Sequence, residues 1–264
     1  MDPEFKYVPS FLMAAKAGGV IIRDYFGKNI SVVEKTTAAD LRTKADLESE
    51  GAILPILEKA FPEFNIFSEE RGHTDKGSEY TIYVDPLDGT NNFFLGIPNF
   101  TVLISLLYGK ECIAGLIYHP MTDLACYAEK GMGAFANGLQ IHVNSENDPE
   151  KSAICFTAGY DNSARLVGPM MTALKNGLNH KRTLFSWSGA ADACLVACGK
   201  AEALINDGNE IFDYAANKLI VREAGGKITD PEGTVLTDDT QKTFLMSNGT
   251  GLHEKILAVW RTVK

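Results

Sequence analysis

The sequence predicts a mixed α/β protein in two parts, on three observations. Two long segments near the N-terminus, 7–26 and 45–61, carry apolar residues at helical spacing. From residue 65 the texture changes to short β-rich runs broken by Gly, Pro and Asn. Beyond the polar string "NSENDPEK" at 144–151, helical and extended patterns alternate, as they do where helices and strands lie in layers. A chain of 264 residues buries a substantial core, as one large domain or as two closely packed ones. The polar string sets the expected division, with an N-terminal α+β part at 1–145 and a C-terminal α/β part at 146–264.

Segment 7–26 reads as the first helix, interrupted at Gly18-Gly19 and stopped near Gly27. In 45–61 the residues Ile53, Leu54, Ile56, Leu57 and Phe61 form a dry face and Glu48, Glu50 and Glu58 a wet one, with a kink expected at Pro55. The runs "NIFS", "YTIYVD", "FTVLISLLYG", "CIAGLIYH" and "LACYAEKG" read as a largely antiparallel sheet backed by those two helices. Pro86 is expected to end the second of these strands. In the second part, 163–176, 189–198, 212–224 and 252–263 read as helices, and 183–185, 203–205, 227–229 and 243–247 as strands.

A hydrophobic fraction of 45% with 22% charged residues marks a folded globular chain. The formal net charge of -9 argues against nucleic acid or an anionic membrane as the main partner, since both require a basic face. An anionic small molecule stays open, provided cations reverse the local field. The apolar run near 100–108 falls short of the ~20 residues of a spanning helix. The five cysteines (Cys112, Cys126, Cys155, Cys194, Cys198) show no paired metal-ligand spacing, and they read as small hydrophobes in a reducing, cytoplasmic setting.

The stretch "IYVDPLDGTNNF" at 82–93 carries the chemistry. Asp85 and Asp88 leave a strand end together, and two carboxylates so close repel each other unless a cation lies between them. With no Cys or His nearby, an all-oxygen donor set points to magnesium, manganese or calcium rather than zinc. Gly89-Thr90 begins a turn or short helix whose first N–H groups attract an anion. A cation site touching an anion site is what metal-assisted phosphoryl transfer needs, although Asp-Gly alone is also an ordinary turn. Glu69 and Glu70 after "FNIFS", Asp46 at the start of the second helix and Asp213 in "IFDYAA" add further acids anchored beside apolar residues.

These residues, together with "GLIYHPMTDLACYAEKGMGAFANG" and "FDYAANKLIVREAGGKITD", resemble in order the inositol monophosphatase family of magnesium-dependent, lithium-sensitive phosphatases, from about residue 35 onward. The resemblance implies a layered α-β-α-β-α sandwich, commonly dimeric, that hydrolyses a small polyol or sugar phosphate with water activated on metal. It implies that Glu69, Asp85, Asp88, Asp213 and the carbonyl of Leu87 hold two or three magnesium ions, with manganese as a substitute. It further implies that Thr90, backed by Asp46, orients the attacking water, with Glu69 sharing in catalysis, and that the amides of Gly89 and Thr90 hold the phosphate. Asp88, Ser188, Gly189, Asn206 and Asp213 would surround the substrate.

The chain departs from inositol-specific members at Trp187-Ser188, where a Gly-Ser or Gly-Thr step is common, at Asn206, where an acid is common, and at Phe212, where Trp is more usual. Trp187 is read as core on general burial grounds rather than as a stacking surface. Selectivity therefore stays open among inositol phosphatase, fructose-1,6-bisphosphatase, NADP phosphatase, histidinol-phosphatase and 3'-nucleotidase. A non-catalytic metal-binding scaffold is the reading from another class, and the presence of every acid together with Thr90 argues against it.

Overall fold

The computed structural model describes residues 4–28, 32–34, 41–159 and 163–263. Among them the helices are α1 (Val8–Tyr25), α2 (Lys44–Ala60), α3 (Thr90–Phe94), α4 (Ser163–Leu178), α5 (Gly189–Ala197), α6 (Ile211–Glu223) and α7 (Leu252–Trp260). The strands are β1 (Val32–Glu34), β2 (Leu41–Thr43), β3 (Asn65–Ser68), β4 (Gly72–Thr74), β5 (Tyr80–Asp88), β6 (Thr101–Tyr108), β7 (Glu111–His119), β8 (Leu124–Glu129), β9 (Ala134–Ala136), β10 (Leu139–Ile141), β11 (Ala153–Ala158), β12 (Arg182–Leu184), β13 (Ala203–Asp207), β14 (Lys227–Thr229) and β15 (Phe244–Ser247). Strands β1 and β2 form a separate antiparallel pair.

The larger sheet has the order β10-β9-β8-β7-β6-β5-β3-β4 and is antiparallel except where β3 meets β5. The smaller has the order β12-β11-β13-β15-β14 and mixes parallel with antiparallel pairs. Side-chain alternation then builds three cores. On β6, Val102, Ile104 and Leu106 face α1 and α2, whereas Leu103 and Leu107 face α5 and α6. On the smaller sheet, Cys155, Leu204 and Met246 face those same helices, and Ile154, Phe156, Ala203, Ile205 and Leu245 face α4 and α7. The core around α5 and α6 reaches both sheets, so three cores fill the four interfaces of five layers, the α-β-α-β-α arrangement expected. Both sheets are covered on both sides, which is why their strands read as continuous apolar runs.

Several local expectations change. Helix α1 runs unbroken through Gly18-Gly19, because those positions are where it touches its neighbours. A Cβ on Gly18 would meet Ile53 at 2.7 Å, and one on Gly19 would meet the Tyr118 ring at 2.5 Å. Helix α2 likewise continues past Pro55. Glu50, placed above on the wet face of α2, is buried. Strand β11 was absent from the expected elements, although it is an interior strand of its sheet. Four of the cysteines are buried and all five are unpaired. No helix among the described residues is long and apolar enough to cross a membrane.

The close packing of α1 gives a paired test in thermal or urea unfolding. Gly18→Ala and Gly19→Ala should each cost about 1–3 kcal/mol through overpacking. Gly51→Ala, on the exposed face of α2 with open space around it, should instead stabilise by roughly 0.5–1 kcal/mol. Equal effects at all three positions would show that the glycines are not the points of contact.

Candidate active site

The site grows from the carboxyl ends of two neighbouring parallel strands. Ser68 of β3 pairs with Val84 of β5, and the Glu69 N–H extends the ladder by donating to the Val84 carbonyl at 3.1 Å. Glu69 and Asp85 therefore leave adjacent strands side by side, in the position where ligands gather on mixed sheets.

Strand β5 does not end at Pro86, contrary to expectation. It runs on to Asp88, and its register against β6 shifts, with Asp85 opposite Leu103 and Asp88 opposite Thr101. One extra residue on β5 makes this a bulge, the interior position where a proline without an N–H is tolerated. In a regular strand, residues three apart face opposite sides. The inserted residue lets Asp85 and Asp88 serve one site. Ser49 of α2 donates to the Pro86 carbonyl at 3.0 Å and fastens the bulge to the first helical layer.

Helix N-termini supply the other residues. Asp46 is the third residue of α2 and closes a capping box, accepting from the Thr43 N–H at 2.8 Å and the Thr43 hydroxyl at 2.5 Å. Its other oxygen lies 3.3 Å from Thr90 Oγ1, which is also 3.0 Å from the Leu87 carbonyl. Asp213 opens α6 in the same way, accepting from the Glu210 N–H at 2.8 Å. Ser188, the N-cap of α5, donates to Asp88 Oδ2 at 2.5 Å, and Thr101 donates to the same oxygen at 3.1 Å. The positive ends of these helices favour negative charge between them.

That charge is crowded. Burial, followed by Glu69, Asp88 and Asp213, pushes the Asp85 carboxyl well above the usual carboxylate range. Asp213 is raised by burial and then by Glu69 and Asp88. Burial lifts Asp88 to about 6 against the hydrogen bonds from Ser188 and Thr101. Asp46 is lifted to about 7, again by burial. A cation among them would favour the ionised form of every one of these groups. Among the described residues, no three acidic, His or Cys side chains already close on one point as a finished cage. Asp46, Asp85, Asp88 and Asp213 each accept a hydrogen bond from the protein instead. The donor set, all oxygen and mutually repelling, fits a hard divalent cation.

The other expected residues are placed as follows. Gly89 has φ +86°, and a Cβ there would meet the Asn99 and Trp187 carbonyls at 3.1 and 3.3 Å, so glycine is required on both counts. Gly189 is buried against Thr157. Asn206 is 1% exposed, and its amide is engaged by the Lys242 carbonyl at 2.6 Å and by Asn209 at 2.9 Å. Phe212 stacks on Phe67. Trp187 is not core: it is 49% exposed and has φ +56°.

Glu50 was missed. It accepts from the Ser68 hydroxyl, from the Glu70 N–H at 3.2 Å and from the Arg71 N–H at 3.0 Å, and so it shapes the turn that carries Glu69. Its signal was available, since it lies four residues after Asp46 and shares that helix face. Asn92 was missed as well; it donates to the Asn99 and Ser186 carbonyls, both at 2.7 Å, and joins the segment after Gly89 to the one before α5.

The sequence model of the inositol monophosphatase family matches residues 7–264. A Dictyostelium discoideum protein named inositol monophosphatase is 34% identical over 90% of each chain. An Aquifex aeolicus protein named fructose-1,6-bisphosphatase/inositol-1-monophosphatase is 31% identical over 96% of this chain and 95% of its own. Among solved structures, the extragenic suppressor protein suhB of Bartonella henselae superposes with a TM-score of 0.88 at 30% identity, covering 96% of this chain and 98% of the other. The Thermotoga maritima IMPase gives 0.88 at 28% identity, over 98% of both chains.

Removing the Glu50 carboxylate tests how the Glu69 turn is held. Glu50→Ala should cost about 1–3 kcal/mol for each buried donor left without an acceptor, and it should speed hydrogen exchange at the Glu70 and Arg71 amides while leaving β6 protected. Glu50→Gln, which keeps an acceptor oxygen, should be milder. Unchanged exchange at those two amides would remove Glu50 from the account.

Proposed function

The chain belongs to the inositol monophosphatase family, and on that premise we propose that it is a metal-dependent phosphomonoesterase that transfers the phosphoryl group of a small polyol or sugar phosphate to water. The observation that carries this reading is the convergence of Glu69, Asp85, Asp88 and Asp213 from two strand ends and a helix start, with their charges in mutual reach. Glu69, Asp85, Asp88, Asp213 and the Leu87 carbonyl would hold two or three magnesium ions, or manganese in their place. Held there, they would supply polarisation of the phosphate and a water acidic enough to act at neutral pH.

The protein's own groups do the positioning. The Thr90 hydroxyl donates its single proton either to Asp46 Oδ1 or to the Leu87 carbonyl, and its oxygen is left to accept from the attacking water. Asp46, held near neutrality at about 7, has the basicity to take a proton passed along that chain. The Gly89 and Thr90 amides, at the start of α3, face the phosphate in this reading. Ser188 acts through Asp88, which its hydroxyl holds in place. Asp213 and Asp88 border the leaving group, with Gly189 and Asn206 forming the wall behind them. A cytoplasmic homodimer acting on a small-molecule ester, without nucleic acid or membrane, completes the reading.

Phosphate release from inositol 1-phosphate and fructose 1,6-bisphosphate, with magnesium and with a chelator, tests it. Turnover should need the metal, and Asp88→Asn and Thr90→Ala should each lower kcat about 10²- to 10⁴-fold. Turnover indifferent to the chelator, or undiminished in Asp88→Asn, would overturn the reading.

A further inference from the structure

A cation of the protein's own stands beside the acid cluster. Arg42 and Thr43 are neighbours on β2, and adjacent strand residues reach opposite ways. Thr43 caps α2 together with Asp46, whereas the Arg42 guanidinium lies 3.4 Å from Glu70 Oε2. Glu70 follows Glu69 directly in the chain. Both acids are near enough to Asp46 to add their charge to what burial does to its carboxyl. Arg71, by contrast, points to Glu50 Oε2 at 3.7 Å.

Two consecutive carboxylates at a cation site pose a choice between ligands. The Glu70 side chain is only 1% exposed, so its charge needs a partner inside the protein. A divalent ion placed among these acids would recruit any carboxylate within reach, because hard cations accept a variable number of oxygen ligands. Glu70 leaves a fixed point, since its N–H is held by Glu50 at 3.2 Å, and from there it accepts from Arg42 Nη1. The Arg42 Nε is buried and meets no acceptor among the described residues. Leaving a buried N–H unsatisfied is costly, and the attraction to Glu70 is what offsets that cost. Glu69, in turn, leaves β3 beside Asp85, toward the other acids.

We propose that Arg42 is a positioning residue that sorts the Glu69–Glu70 pair. It holds Glu70 as its own counter-charge and keeps it out of the cation's donor set, so that Glu69 alone of the two serves the metal. By adding a positive charge at the edge of the cluster it also loosens the site's grip on cations. This rests on the metal-dependent reading above and concerns the same site.

The test is calorimetric titration of magnesium into the metal-free full chain at fixed pH and ionic strength. Arg42→Met keeps an apolar stem and removes the charge, and its magnesium affinity should rise about tenfold, a size usual for coupling between neighbouring groups. Glu70→Gln leaves the Arg42 charge without its carboxylate, and affinity should fall by a similar factor. The double variant Arg42→Met/Glu70→Gln should return close to the wild type, and Arg42→Lys should behave as the wild type does. Melting gives a second readout. With a chelator, Arg42→Met should melt below the wild type because the buried Glu70 has lost Arg42, and saturating magnesium should remove the difference. An Arg42→Met variant that binds magnesium no more tightly than the wild type, or a Glu70→Gln variant that binds it more tightly, would overturn the sorting role. A wild-type chain that takes up no magnesium would instead overturn the metal-dependent reading itself.

Discussion

Like charges gathered in a dry interior are the constraint on which the rest depends. A carboxylate moved out of water loses solvation that a neighbouring carboxylate cannot replace, so Asp85, Asp88 and Asp213 are driven toward the protonated form by burial and then by neighbouring carboxylates, Glu69 foremost. The fold opposes this with dipoles. The starts of α2, α5 and α6 point at the same region, and hydroxyl or N–H donors from Thr43, Ser188, Thr101 and Glu210 reach the acids. These partners reduce the repulsion without cancelling it, and the residual deficit of positive charge is one that a divalent cation would fill.

The layered architecture serves that constraint. Aligning several helix starts at one place needs helices on both faces of the larger sheet, and three separate cores hold those layers in position. The bulge in β5 contributes the finer adjustment, since without it Asp85 and Asp88 would serve opposite faces. Such arrangements trade stability for function, because neutral side chains would pack the same space at lower cost.

Much of this was legible in the chain. The acids of "VDPLDG" and Glu69 stand out because they follow apolar strand residues at once, and the family motifs fix their order. The rest escaped for physical reasons. Pro86 signals a strand end unless a bulge accommodates it, and a bulge depends on the partner strand. Strand β11 is buried on both faces, so its short apolar run lacks the alternation that marks a half-exposed strand. Glu50 carries the residue type of a solvated helix face; its spacing from Asp46 is the one local sign, and the turn it holds comes from a distant part of the chain. The exposure of Trp187 and its left-handed backbone arise from contacts around Gly89 and Asn92 that no local pattern records.

The most direct test of the central claim is the melting temperature of the wild type and of Asp85→Asn, each with and without magnesium. Asparagine keeps the oxygen that accepts from the Leu87 N–H at 2.8 Å but carries no charge. If crowded carboxylates await a cation, the variant melts higher than the wild type without magnesium, and magnesium stabilises only the wild type. A variant that melts lower without metal and still gains stability from magnesium would contradict the account.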